Sequence, residues 1–157
     1  MTEHLTTNPC ADLNAYLEGK VPNIHNFGIR VSELGRGSVT ATAPLAGNGN
    51  HLNTMYAGTT FALAEMLGGA IVWPLIDFGQ YYPTVKDLQI RYRRPAFTDL
   101  TGRASLNEKT ITRMLTEATT LGKTEFEVEA HIVDDAGTTV ATSHGTYQIR
   151  RFEAAQA

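Results

Sequence analysis

Residues 57–73 read Ala-Gly-Thr-Thr-Phe-Ala-Leu-Ala-Glu-Met-Leu-Gly-Gly-Ala-Ile-Val-Trp and carry a single charged side chain, Glu65. A helix that is apolar on all sides is normally a buried helix. No residue three or four positions from Glu65 is cationic, so the helix itself offers no ion pair. Because an unpaired buried carboxylate is costly and perturbed carboxylates concentrate at functional sites, this stretch favours a catalytic Glu65. The alternative is a structural glutamate paired with an arginine from elsewhere in the fold.

The composition is that of a globular protein, and we expect one domain over residues 1–157. Hydrophobic residues make up 42% and charged residues 18% of the 157 positions, which allows a sizeable core. The formal net charge of −3 gives no general attraction to nucleic acid. Residues 57–76 are the one candidate for a membrane span, but Glu65 at the centre favours a core helix. With a single cysteine and no signal-peptide pattern, we expect a cytoplasmic protein.

Alternation of polar and apolar side chains predicts strands on both sides of the long helix. Two shorter segments repeat their apolar residues at helical spacing. The predicted order begins with two strands within 27–44, joined by a turn at 35–37, and continues with the long helix. After the helix come strands at 85–93 and 100–106, a short helix at 111–121, and strands at 126–132 and 138–150. A further short helix is predicted at 11–18. This order predicts an α+β fold in which a curved antiparallel sheet wraps around one long central helix.

Three stretches of the chain resemble the hotdog-fold acyl-CoA thioesterases, in particular those related to the phenylacetate-pathway type. They are the run from Asn50 through Ala57-Gly58 to Glu65, the strand segment 90–96 (Ile-Arg-Tyr-Arg-Arg-Pro-Ala), and the hairpin segment 127–141. The resemblance covers roughly residues 26–150, with residues 9–20 as an N-terminal helical extension. The helix at 111–121 resembles a subgroup of uncharacterised thioesterase-like proteins. The resemblance therefore implies a hotdog fold and hydrolysis of acyl-CoA thioesters.

The same resemblance implies roles for four residues. Glu65 would be the general base or the nucleophile, the amide of Ala57 or Gly58 the oxyanion donor, and the Asn50 amide a holder of water or substrate. Free amides at a helix start are well suited to an oxyanion. Gly58 and Glu65 are about 10 Å apart along a helix axis, too far to share one thioester carbonyl within one chain. In hotdog thioesterases the two groups come from different subunits, so the resemblance implies a homodimer or a dimer of dimers.

Five further residues are predicted to contact substrate. Tyr56 stands where many relatives have histidine, and Val85 stands where some relatives place a hydroxyl residue, with Thr84 adjacent. Arg93 is a candidate for the phosphates of coenzyme A, although a solvated strand edge explains it equally well. Asn53 is either a substrate contact or an ordinary loop or cap residue. No cluster has metal-ligand spacing, and no cofactor is expected beyond coenzyme A as part of the substrate.

Two other functions are compatible with the same fold. A hotdog hydratase or dehydratase needs a histidine paired with the acid, and the region before the helix offers only His51. A non-catalytic module that binds acyl-CoA or lipid needs no such pair. The sequence leaves open the acyl group and the choice between coenzyme A and acyl carrier protein.

Overall fold

The computed structural model describes residues 7–153, in which a six-stranded antiparallel sheet packs against one central helix. The helices are α1 Pro9–Lys20, α2 Pro22–Asn26, α3 Ala57–Ala70 and α4 Glu108–Leu121. The strands are β1 Arg30–Gly35, β2 Ser38–Ala43, β3 Tyr81–Tyr92, β4 Leu100–Ser105, β5 Lys123–Val133 and β6 Thr139–Arg151.

The sheet has the strand order β1-β2-β4-β5-β6-β3, and every neighbouring pair is antiparallel. Helix α3 lies across the sheet in contact with β2 through β6. Its Leu63 and Leu67 are fully buried, and Gly102 of β4 lets both side chains come close to the sheet backbone. The predicted α+β hotdog architecture, one central helix held by an antiparallel sheet, is confirmed.

The prediction missed one helix and misplaced the start of three strands, one of which is β5, which begins at 123 rather than 126. Pro22 opens the short helix α2, which buries Ile24, and a left-handed Gly28 (φ 75°) ends this region before β1 starts at Arg30. The alternation seen from Phe27 onward was therefore partly accidental. Strand β3 starts at 81 rather than 85, because an edge strand tolerates the proline that it contains.

A bulge in β3 changes which face two of its residues occupy. Val85 pairs with Tyr147 and Asp87 pairs with Thr146, so Lys86 is an extra residue without a cross-strand partner. Lys86 therefore turns to the outer face, where its ammonium pairs with Glu125. Simple alternation through 85–93 would place Lys86 on the same face as Leu88, because alternation does not detect an inserted residue.

The two edges of the sheet are not equivalent. The side chain of Asn14 in α1 donates to the carbonyl of Val31 (2.9 Å) and accepts from its N–H (2.8 Å), so it occupies hydrogen-bonding positions on the outer edge of β1. Strand β3, with 12 residues, forms the other edge, and no strand among residues 7–153 pairs with its outer side. An uncovered strand of this length is suited to a partner.

Candidate active site

Helix α3 begins without a cap. Asn8 and Asn107 cap α1 and α4 by accepting backbone N–H bonds of 3.1 and 2.8 Å. The cap position of α3 is occupied by Tyr56, which makes no such bond. Within residues 7–153, the N–H groups of Ala57 and Gly58 have no acceptor. Two free donors therefore stand at the positive end of the helix dipole, where an anionic oxygen is stabilised.

A cavity of about 310 Å³ opens beside this helix start. The Tyr92 hydroxyl, at the end of β3, donates to the carbonyl of Ala57 (3.0 Å) and closes one side of it. Sequence reasoning missed Tyr92, because its contact joins residues 35 positions apart. The lining includes Asn50, Met55, Ala57, Thr60, Tyr92 and Arg93. Three of the residues predicted from the sequence thus meet in one cavity.

The Asn50 side chain is held by its own loop. Its carbonyl oxygen accepts from the N–H groups of Leu52 (2.9 Å) and Thr54 (3.1 Å), and its amide donates to the Thr54 hydroxyl (2.9 Å). A side-chain amide has two N–H donors, so one is left for a ligand in the cavity. The loop bonds fix the direction of that donor.

The Glu65 carboxylate has no hydrogen-bond or ion-pair partner among the described residues. Burial raises the pKa of Glu65 above its ordinary value, because the charged form loses hydration that nothing replaces. An arginine partner, the alternative considered from the sequence, is therefore absent within residues 7–153. Such a carboxylate is a stronger base than an ordinary glutamate, which suits it to take up a proton.

One face of α3 is left uncovered by the chain. Ala57, Phe61, Glu65 and Gly69 recur every four residues on one side of α3, next to the edge strand β3, and all four are exposed or half-buried. Phe61 is 39% exposed. We call these four residues the outer stripe of α3. The expectation that the helix is buried on all sides is therefore wrong for a single chain, which covers only the opposite face.

Tyr56 lies directly over the backbone of Gly58. A Cβ atom at Gly58 would stand 2.3 Å from the Tyr56 ring, although that ring is itself 53% exposed. Asn53 is exposed in the preceding loop with a left-handed backbone (φ 59°). The Tyr56 ring therefore lies beside the free amides of Ala57 and Gly58, whereas Asn53 provides the left-handed residue of the loop.

The remaining predicted residues lie on or beside β3. Val85 is opposite Tyr147 and shares the face against which α3 packs, whereas Thr84 pairs with Gln148 and lies on the other face. Arg93 is exposed and donates a long hydrogen bond (3.4 Å) to the Thr142 hydroxyl. Val85 is thus on the helix side of the sheet, and Arg93 is at the mouth of the cavity beside the helix start.

The described residues contain no group of three or more side chains able to hold a metal ion. None of their helices combines the length and the apolar character that crossing a bilayer requires.

An antiparallel sheet wrapped around one central helix defines a hotdog domain. The chain belongs to the DUF4442 family, a domain of unknown function, whose model matches residues 12–149. It is similar to a Pseudomonas aeruginosa protein of unknown function that is described as a probable thioesterase. The two are 38% identical with a TM-score of 0.80, over 90% of this chain and 96% of that one.

Two more distant structures have the same fold. A thioesterase from Haemophilus influenzae is 17% identical, with a TM-score of 0.74 over 97% of both chains. A Staphylococcus aureus protein, called a thioesterase enzyme, is 17% identical with a TM-score of 0.69, over 82% of this chain and 98% of that one. It has been crystallised with a glutamate changed to alanine and, separately, with a glutamine 15 positions earlier changed to alanine.

Proposed function

We propose that this protein is an acyl-CoA thioesterase whose active site combines the α3 start of one subunit with Glu65 of a second. The observation that carries the proposal is the α3 helix itself. It presents two free amides at its uncapped start and, on the same uncovered face, an unpaired carboxyl group with a raised pKa. An oxyanion site and a general base are the two groups that hydrolysis of a thioester requires.

The chemistry follows from these two groups. The thioester oxygen accepts hydrogen bonds from the N–H groups of Ala57 and Gly58, which stabilise the negative charge that develops there. Glu65 takes a proton from water as the water oxygen bonds to the carbonyl carbon. The carbon–sulfur bond then breaks, and the proton passes to the departing thiolate. Direct attack by Glu65, followed by hydrolysis of the resulting anhydride, uses the same geometry.

In a homodimer, the Glu65 carboxylate of one copy would meet the free amides of the other copy. Gly58 and Glu65 are separated by about 10 Å along the axis of α3, so one small carbonyl cannot contact both in one subunit. The outer stripe of α3 and the outer edge of β3 are uncovered, whereas Asn14 already occupies part of the β1 edge. These features support a homodimer, or a dimer of dimers, joined at the β3 side.

The position of Asn50 supports its assignment as a substrate-holding or water-holding group. Asn50 precedes Glu65 by 15 residues, the same separation as between the two residues substituted in the Staphylococcus aureus thioesterase. A donor on a residue that lines the same cavity as Ala57 could contact either the carbonyl or the attacking water.

The other predicted residues differ in how close they are to this site. Tyr56 lies beside the free amides, Val85 is on the helix side of the sheet and Arg93 lines the cavity, whereas Thr84 is on the opposite face and Asn53 is in the exposed loop. An arginine at the cavity is suited to the phosphates of coenzyme A. Coenzyme A enters as part of the substrate, and the reaction needs no further cofactor.

The experiment that tests the function is turnover of a panel of acyl-CoA thioesters with short, long and aromatic acyl groups. We expect release of free coenzyme A from at least one member. Binding of the panel without release would identify a non-catalytic acyl-CoA module. Addition of water to an enoyl-CoA without release of coenzyme A would identify a hydratase.

We expect the active protein to be a dimer or tetramer in solution, and Phe61→Lys to shift it towards monomer. A lysine in the outer stripe of α3 would bury a charge in the proposed interface. Light scattering at micromolar concentration measures the mass, with Leu121→Lys as the control, since Leu121 is exposed on α4 and outside the stripe. A monomeric mass in an active wild-type preparation would contradict the shared site.

A further inference from the structure

The turn of α3 that carries Glu65 is tied to the sheet by one side chain. Tyr147 of β6 is buried, with only 2% of its surface exposed, and its hydroxyl donates to the main-chain carbonyl of Glu65 at 2.9 Å. Its ring stacks on Phe126 of β5 at a centroid distance of 5.8 Å. The ring thus lies between the central helix and the sheet, and its hydroxyl reaches the helix backbone.

Two glycines make room for this ring. A Cβ atom at Gly68 of α3 would stand 2.1 Å from the Tyr147 ring, and one at Gly145 of β6 would stand 2.6 Å from it. Neither distance is possible without movement of the ring or the backbone. The chain therefore lacks side chains at both positions that would otherwise displace Tyr147, one on the helix and one on the strand.

The Tyr147 hydroxyl is always available as a hydrogen-bond donor. Burial, with a smaller effect of the nearby Glu65 charge, raises the pKa of Tyr147 above its ordinary value, so the group stays protonated at any working pH. In an α-helix the same Glu65 carbonyl also accepts from the amide four residues on, which is that of Gly69. The carbonyl is consequently held from the helix side and from the sheet side.

We propose that Tyr147 is a positioning residue that fixes the Glu65-bearing turn of α3 against the sheet, and so sets where the Glu65 carboxylate stands. The proposal rests on the function proposed above in so far as it concerns catalysis.

The hydrogen bond from Tyr147 to the Glu65 carbonyl is important because the Glu65 carboxylate itself has no bonding partner among the described residues. No side chain in residues 7–153 bonds to the Glu65 carboxylate, so its direction depends on the helix backbone alone. A base that must meet a carbonyl held by another subunit tolerates little displacement, since a shift of about 1 Å can lower a rate by about 10²-fold.

The test compares Tyr147→Phe, which removes only the hydroxyl, with Ile149→Val, which removes one buried methyl group two residues along the same strand. We expect Tyr147→Phe to lower kcat roughly 10-fold with KM unchanged, because the substrate contacts are intact while the base is less well placed. Ile149→Val should keep the wild-type kcat. Equal kcat values in the two variants would overturn the positioning role.

Amide hydrogen exchange gives a readout that does not require turnover. We expect the Gly69 amide to exchange faster in Tyr147→Phe than in Ile149→Val, since the carbonyl it bonds has lost its anchor. Equal exchange at Gly69 would overturn the proposed anchor. If the wild type cleaves no thioester but Gly69 exchange rises as expected, the proposed function fails while the anchor stands.

Discussion

Glu65→Gln should lower thioester hydrolysis by roughly 10²–10⁴-fold, the usual effect of losing a general base. Glutamine keeps the shape and the polarity of the side chain but cannot accept the proton. Initial rates of release of coenzyme A measure the change. Glu129→Gln is the matched control, because Glu129 is an exposed glutamate of β5 with its side chain far from the helix face of the sheet. It should hydrolyse at the wild-type rate.

The same Glu65→Gln protein should be as stable as the wild type or more stable. Burial raises the pKa of Glu65 in the folded state, so its ionisation opposes folding. Below the ordinary pKa of about 4.5, Glu65 is neutral in both states, and glutamine brings no gain from this cause. The gain should grow as the pH rises above the ordinary pKa and become constant once the pH exceeds the raised pKa of the folded state.

Chemical unfolding of both proteins at several pH values measures this gain. A structural glutamate would give the reverse pattern, in which Glu65→Gln loses stability and loses activity only because it unfolds. A stable Glu65→Gln protein with undiminished turnover would remove the general base from the mechanism.

Gly58→Val should lower turnover by roughly 10²–10³-fold, the scale of losing one oxyanion donor. A side chain at Gly58 meets the Tyr56 ring, since even its Cβ would stand 2.3 Å from that ring. The displaced ring and the added methyl groups together would close the approach to the free amides. Steady-state kinetics on a folded variant, with the fold checked by circular dichroism, provides the measurement.

Two further variants separate the causes of that loss. Ala57→Gly should be tolerated, because it leaves the amides and adds no bulk. Tyr56→Ala combined with Gly58→Val should stay slow if bulk at Gly58 itself blocks the carbonyl. Near-normal rates for Gly58→Val alone would mean that the carbonyl binds elsewhere.

The strands and helices could be predicted from the sequence because each depends on local patterns. Alternation located all six strands, three of them (β2, β4 and β6) to within one residue at each end, and helical spacing located α4. The bulge at Lys86 could not be seen, because one inserted residue looks like continued alternation until the pairing with β6 is known. It is this bulge that brings Val85 to the helix side of the sheet. The exposure of one face of α3 could not be predicted either, because the composition of α3 is that of a buried helix.

Only part of the candidate site could be predicted from the sequence. Glu65 stood out because a single charge in an apolar helix is visible in the sequence itself. Tyr92 and Tyr147 did not, since their hydroxyl contacts to Ala57 and Glu65 span 35 and 82 residues. Tyrosines in strands are common, and only the packed fold shows that these two anchor the start and the middle of α3.

Complementation between two inactive variants tests the shared site most directly. When Glu65→Gln and Gly58→Val chains are co-expressed, random pairing puts them together in about half of the dimers. Each mixed dimer then has one site with an intact Glu65 and an intact Gly58. We expect recovery of about a quarter of wild-type turnover, far above either variant alone. Activity no higher than the mean of the two variants, in a preparation shown to contain mixed dimers, would contradict the shared site.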